Sequence, residues 1–156
     1  MDYESQSEAL SEAILALVKG KVDDSHCYRD LVDNLYAYRV KAVNGHGKWD
    51  TRKIKDKCRW TSNARSPSVR QEVEKEHVVP MAEIVRILQS LPNPTVNKIY
   101  DVIDRFCIYC MVTKDEHRLL NDQYQRTMPQ GFWVKNSLHY MDAWLRYKCS
   151  GVQVPT

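Results

Sequence analysis

The amino-acid sequence predicts an α+β protein that is predominantly helical and forms a single domain over residues 1–156. Several segments repeat apolar residues at the spacing of an amphipathic helix, whereas the short run FCIYCMVT is apolar and β-prone throughout. A chain of 156 residues is also long enough to bury a core without disulfide bonds or a structural metal.

Composition and charge exclude membrane and disordered classes. Hydrophobic residues make up 43% and charged residues 28% of the chain, which is ordinary for a globular protein. No apolar run approaches the roughly 20 residues that span a bilayer, and the acidic start MDYESQSEAL is unlike a signal peptide. We therefore expect a cytoplasmic protein with no membrane partner, in which the five cysteines are reduced thiols.

The N-terminal part, residues 5–43, predicts an antiparallel pair of helices. In the first helix, apolar residues recur from Leu10 to Val18 on one face. The second helix covers residues 27–43 and follows two good N-cap candidates, Asp24 and Ser25.

A basic connection follows at about residues 44–70. From Arg39 to Lys75 there are eleven Lys or Arg against four Asp or Glu, although the whole chain carries a net charge of only +3. Such an excess favours contact with a nucleic-acid backbone, and a solvated charged face is an equally weighted alternative. Trp49 and Trp60 would either stack on bases or anchor the segment to the core. The predicted backbone contacts are Lys48, Arg52, Lys53, Lys55, Lys57, Arg59, Arg65 and Arg70.

Strands and helices alternate over about residues 72–121. A short strand runs into Pro80, which suits the first turn of the helix that follows. Thr95 can cap another helix, and FCIYCMVT is a buried strand by its length and composition. Thr113 and Glu116 then have the spacing of a capping box and predict the start of a further helix.

A last helix is predicted at about residues 137–148. Leu138, Met141, Leu145 and Lys148 recur at helical spacing, which places them on one side. We expect this side to face the core.

The CxxC motif of Cys107 and Cys110 has two interpretations. A structural zinc would need partners from Cys58, Cys149 or a histidine, because the chain has no second CxxC. The favoured interpretation is two buried strand cysteines.

Two stretches, EHVVP at residues 76–80 and MVTKDEH at residues 111–117, resemble the motif of HNH, or ββα-metal, nucleases. In that family a first strand ends in a metal ligand followed by the catalytic histidine, and a second strand and a helix return another ligand. The resemblance implies a small HNH-like element within residues 72–121. It implies Glu76 and His117 as metal ligands, His77 as general base, and Asp115 and Asn121 as secondary candidates near the metal.

The resemblance also implies phosphodiester hydrolysis, with DNA as the expected substrate. This reaction needs a base that deprotonates water and a cation that takes up charge on the leaving oxygen. Imidazole titrates near neutral pH and suits the first role. A carboxylate with an imidazole suits Mg²⁺ or Mn²⁺, and would also bind Zn²⁺ or Ni²⁺.

Two features of the sequence keep a non-enzymatic alternative open. The middle asparagine of the HNH pattern has no counterpart near Ile108 and Tyr109. The gap between His77 and His117 is also longer than in compact members of the family, which we attribute to inserted helices at residues 81–106. Separately, Glu76 and His77 would face opposite ways in a regular strand, so the resemblance also implies a turn or bulge there. The alternative is a degenerate HNH-like binding protein, phage or bacterial, that engages a nucleic-acid-processing or defence complex. A helix-turn-helix DNA-binding protein is a third and weaker alternative, because no segment shows a short helix, a glycine turn and a basic second helix.

Overall fold

The structure is a computed structural model that describes residues 2–66, 68 and 72–156. It combines helices with a small sheet, so the predicted α+β class is confirmed and helices predominate. None of the helices in this described part is long and apolar enough to cross a bilayer. The elements are α1 (Tyr3–Lys19), α2 (Ser25–Arg39), α3 (Thr51–Lys57), β1 (Arg59–Trp60), α4 (Ser62–Arg65), β2 (Val73–His77), α5 (Met81–Gln89), α6 (Val96–Phe106), β3 (Tyr109–Thr113), α7 (Lys114–Tyr124), a 3₁₀ turn (Gln130–Phe132) and α8 (Leu145–Cys149).

The chain divides into two compact units. The first contains the residues up to Lys57 together with Ile84–Cys107, and the second contains Cys58–Glu83 together with Ile108–Thr156. Each unit therefore joins two segments that are distant in the sequence, and α5 is divided between the units.

The first unit is built on α1, α2 and α6, which pack against one another. Ile14 of α1, Leu35 of α2 and Ile103 of α6 are completely buried, as their helical spacing requires. The predicted helical pair is confirmed as two helices. The second begins after Asp24, whose carboxylate accepts a hydrogen bond from the backbone N–H of His26.

The predicted basic connection at residues 44–70 contains the short elements α3, β1 and α4. Helix α3 follows Asp50, whose Oδ1 accepts hydrogen bonds from the backbone N–H groups of Arg52 and Lys53. Ile54 is completely buried and attaches α3 to the first unit. Arg70 lies outside the described residues.

The second unit contains a three-stranded sheet in the order β1-β3-β2. The central strand β3 is parallel to β1 and antiparallel to β2. Thr113 ends β3 and caps α7, and the predicted capping box with Glu116 is present. Because helix α7 follows the strand without a loop, it packs back on β2 and β3.

The predicted C-terminal helix at residues 137–148 is wrong in extent, since α8 covers Leu145–Cys149 alone. Ser137 and Asp142 accept hydrogen bonds from nearby backbone N–H groups and so favour turns over a helix. Met141 has a φ of 55°, which a right-handed helix excludes. As a consequence Leu138, expected on the inner side, is 99% exposed, whereas Leu145 is buried. Lys148, also expected on the inner side, is exposed.

Candidate functional site

The antiparallel pairing of β2 with β3 determines which side chains share a face of the sheet. Glu76 lies opposite Cys110, and His77 lies opposite Tyr109. Directly opposed residues of an antiparallel pair share a face, and neighbours along a strand alternate. Glu76 therefore lies on one face with buried Cys110, and His77 lies on the other face.

Glu76 and His117 meet although they are far apart in the sequence. Nδ1 of His117 on α7 lies 2.6 Å from Oε2 of Glu76 on β2. The carboxylate is buried, and the imidazole is about one-third exposed, with 37% of the side chain accessible. The structure thus brings together the two residues that the resemblance assigns as metal ligands.

Arg146 completes this cluster, and sequence reasoning did not single it out. Its side chain is completely buried, and Nη1 donates hydrogen bonds to Oε1 of Glu76 at 2.8 Å and to the backbone carbonyl of His77 at 2.9 Å. Nη2 donates to Oδ1 of Asn121 at 3.0 Å. A buried arginine needs such partners. The local sequence gives no signal for the burial of Arg146, because Lys148, another cation on the same short helix, is exposed.

The two secondary candidates, Asn121 and Asp115, make different kinds of contact. The Nδ2 amide of Asn121 lies 2.9 Å from Nε2 of His117, one turn away on α7. Asp115 is exposed and pairs with Arg118 at 2.6 Å. Asn121 therefore belongs to the cluster, whereas the contact of Asp115 is a surface pair.

His77 is the last residue of β2, and its ring centroid lies 4.5 Å from that of Tyr109. The ammonium of Lys75 lies over the same tyrosine ring. The register from Val73 to His77 is continuous, so the bulge expected between Glu76 and His77 is wrong. The chain turns only after His77, at Val78 and Val79.

Glu116 is buried and directly precedes His117 in the sequence, but its role is structural. Its Oε2 accepts hydrogen bonds from the N–H of Thr113 and the hydroxyl of Thr61, and its Oε1 accepts from the amide of Asn63. These contacts fix the start of α7 against the segment that follows β1. They also hold the helix that carries His117.

The predicted nucleic-acid contacts are distributed over both units. In the first unit Lys48, Arg52 and Lys57 are exposed, Lys55 is half-buried, and exposed Lys53 donates its ammonium to the carbonyl of Val43. Lys53 therefore has a structural contact as well as its charge. In the described part of the second unit, Arg59 and Arg65 are exposed.

Both tryptophans of the basic segment are half-buried. Trp49 lies 6.2 Å from the ring of Tyr36, between ring centroids, within the first unit. This contact is that of an anchor, one of the two roles expected for these tryptophans.

The cysteines of the CxxC motif are both buried, as the favoured interpretation expects. Cys107 is, however, the C-cap of α6, so its placement in a strand is wrong, and Cys110 alone lies in β3. Burial raises the pKa of the Cys110 thiol to about 12 and that of Cys58 to about 11. In the absence of a metal these thiols therefore keep their protons at neutral pH.

The first unit also contains a cavity of about 470 Å³. It is lined by residues of α1, α2 and α6, including Tyr3, Tyr38 and Tyr100. None of the residues assigned to catalysis or metal binding lines it.

Within the residues that the structure describes, no group of three or more His, Cys, Asp or Glu side chains is arranged to hold a metal. Glu76 and His117 form a pair, which suits a cation that keeps several waters or substrate oxygens, such as Mg²⁺ or Mn²⁺. Two donors are too few for the closed tetrahedral site of a structural zinc.

No family model, curated protein or solved structure matches this chain.

Proposed function

We propose that the protein is a metal-dependent, HNH-like nuclease that hydrolyses phosphodiester bonds, with DNA as its substrate. The observation that supports this proposal is the contact of 2.6 Å between Glu76 on β2 and His117 on α7. Strands β2 and β3 are antiparallel and α7 follows β3 directly, while helices α5 and α6 lie between the two strands in the chain. The HNH resemblance implies two strands and a helix, with α5 and α6 as an insertion.

His77 is the proposed general base. It ends β2 next to Glu76, and its imidazole is partly accessible on the opposite face. The proposal requires the phosphate to bind at the end of β2, because Glu76 and His77 lie on opposite faces of the strand. His77 would there accept the proton of the attacking water.

Glu76 and His117 are the residues that would hold the divalent cation. When bound, the cation would supply positive charge for the oxygen that leaves the phosphate. Arg146 keeps Glu76 in place, and its guanidinium also neutralises part of the negative charge of this carboxylate.

The first test is cleavage of supercoiled plasmid, single-stranded DNA and RNA in Mg²⁺, Mn²⁺ or EDTA. We expect cleavage that EDTA abolishes and that His77→Ala reduces by about 100-fold or more, since general-base catalysis contributes roughly 10²–10⁴-fold. His139→Ala is the matched control, because His139 is an exposed histidine in the same unit. Circular dichroism would show that both variants are folded.

A specific observation favours a second candidate, a non-catalytic nucleic-acid-binding protein. The Glu76 carboxylate already has a buried guanidinium at 2.8 Å, which partly satisfies the charge that a metal would satisfy. In this case no metal produces cleavage from folded protein. Binding to nucleic acid then persists in His77→Ala.

A charge-neutralising variant tests the binding role shared by both candidates. We expect replacement of Lys48, Arg52 and Lys57 by Gln to weaken DNA binding and to reduce its salt dependence. These three side chains are exposed, and Lys53 is left intact because it bonds to Val43. The matched control replaces three exposed lysines elsewhere. Equal loss in both variants, measured by fluorescence anisotropy across a salt series, would contradict a specific basic surface. The control residues are Lys19, Lys114 and Lys135.

A further inference from the structure

The side-chain amide of Asn121 lies between a guanidinium and an imidazole. Its oxygen faces Nη2 of Arg146 at 3.0 Å, and its nitrogen faces Nε2 of His117 at 2.9 Å. Asn121 and His117 are four residues apart on α7, so their side chains share one face of the helix. Arg146 reaches the same point from α8.

The hydrogen-bond donors and acceptors of Arg146, Asn121 and His117 are compatible with one arrangement of the Asn121 amide. An arginine side chain donates hydrogen bonds and accepts none, so the atom of Asn121 that faces Arg146 must be its oxygen. The Asn121 nitrogen, a donor, is thereby directed at Nε2 of His117. That ring nitrogen must accept the hydrogen bond, and a neutral imidazole that accepts at Nε2 carries its proton on Nδ1.

The charge on the other side of the ring favours the same arrangement. Nδ1 of His117 lies at an ion-pair distance of 2.6 Å from Oε2 of Glu76, although the direction of the ring nitrogen does not meet the geometry of a hydrogen bond. A proton on Nδ1 is attracted by the carboxylate, whereas a lone pair there would be repelled by it. The second oxygen of Glu76 is bonded to Arg146, so the same guanidinium acts on both sides of the ring.

We propose that Arg146 is a positioning residue that, through Asn121, fixes the proton of His117 on Nδ1 and makes Nε2 its acceptor atom. The side chain of Asn121 cannot rotate to reverse the arrangement without placing its N–H₂ group against the N–H groups of Arg146. Nε2 would therefore engage a substrate group only after that group displaces the amide of Asn121. A cation shared by Glu76 and His117 would instead bind at Nδ1 and would have to displace the proton there.

The consequence for ligand binding rests on the proposed function, but the tautomer is measured without metal or substrate. The experiment is a long-range ¹H–¹⁵N correlation spectrum of the ¹⁵N-labelled full-length protein, which distinguishes protonated from unprotonated ring nitrogens. His117→Gln assigns the signals by their loss. Absence of cleavage and failure of this inference are thus separate results.

In the wild-type protein we expect His117 to show a protonated Nδ1 and an unprotonated Nε2. Asn121→Asp nearly preserves the shape of the side chain but presents an acceptor to Nε2, so Nε2 gains a proton in this variant. Asn136→Asp makes the same change at an exposed position of the same unit and leaves His117 unaltered. A wild-type ring protonated at Nε2, or an Asn121→Asp ring that stays unprotonated there, would overturn the proposal. The wild-type spectrum decides the matter even if the Asn121 variant does not fold.

Discussion

The guanidinium of Arg146 has no exposed surface and contacts side chains from β2 and α7. Removing one member of a buried ion pair leaves the other member charged and unpaired, which typically costs about 3–5 kcal/mol. Replacing both members by uncharged residues of similar volume costs much less.

We expect Arg146→Met to lower the free energy of unfolding by about 3–5 kcal/mol, because Glu76 then lacks its guanidinium. The double variant with Glu76→Gln is expected to be less destabilised than the sum of the two single variants. Urea denaturation of the wild type, the two single variants and the double variant, in a double-mutant cycle, measures the coupling energy between Arg146 and Glu76. Lys148→Met, which removes a more exposed cation from the same helix, is expected to cost under about 1 kcal/mol. Additive effects of the first two substitutions would contradict the contact.

The thiols differ by residue in a way that chemical modification can detect. Cys27 and Cys149 are exposed, whereas Cys58, Cys107 and Cys110 are buried. We expect a thiol reagent such as Ellman's reagent to react quickly with Cys27 and Cys149 in the native protein and with all five cysteines in denaturant. Rapid reaction of Cys110 in native protein would contradict its burial in β3.

The pKa values of the buried thiols also predict a pH dependence of stability. Burial raises the pKa of Cys110 from 9.0 to about 12, so the unfolded chain loses this proton at lower pH than the folded chain. The contribution to stability is present below pH 9 and is lost as the pH rises toward 12. We expect the free energy of unfolding to decrease less steeply between pH 9 and 11 in Cys110→Ala than in the wild type. Parallel curves from urea denaturation would rule out this contribution.

At the scale of elements, the start of α7 depends on the capping box of Thr113 and Glu116. Thr113 Oγ1 accepts a hydrogen bond from the N–H of Glu116 at 3.2 Å, and Glu116 in turn accepts one from the N–H of Thr113. These bonds satisfy two N–H groups that an uncapped helix would leave unpaired.

We expect Thr113→Ala to lower the free energy of unfolding by about 1 kcal/mol, the usual cost of losing an N-cap. Thr127→Ala is the control, because Thr127 is exposed and lies beyond the end of α7. Chemical denaturation measures both. If the two variants are equally stable, the capping box does not fix α7, and the position of His117 must be determined by packing alone.

Local patterns predicted some elements well and others poorly. The start of α7 was predicted from Thr113 and Glu116 because a capping box is formed by residues three positions apart. The helix at 137–148 was mispredicted because the apolar spacing of Leu138, Met141 and Leu145 is real, but the turn-forming side chains of Ser137 and Asp142 determine the backbone. Hydrophobic periodicity alone does not weigh these competing hydrogen bonds.

At the scale of the whole molecule, the sequence indicated Glu76 and His117 as members of the candidate site but did not indicate Arg146. Glu76 and His117 were paired because two motifs resemble parts of one family pattern. Arg146 was not predicted, since its role depends on a contact across 70 positions that no local pattern encodes. The division of the chain into two units, each made from two distant segments, is likewise a product of tertiary packing.

The long separation between Glu76 and Arg146 has a consequence for synthesis of the protein. A ribosome adds roughly 5–20 residues per second, so Arg146, 70 positions later, follows Glu76 by about 4–14 s. During this interval β2 has emerged without the guanidinium that its carboxylate requires, and burial of Glu76 is unfavourable. The sheet of the second unit is therefore expected to close late, and a nascent chain stalled before Arg146 would be a target for chaperones and proteases.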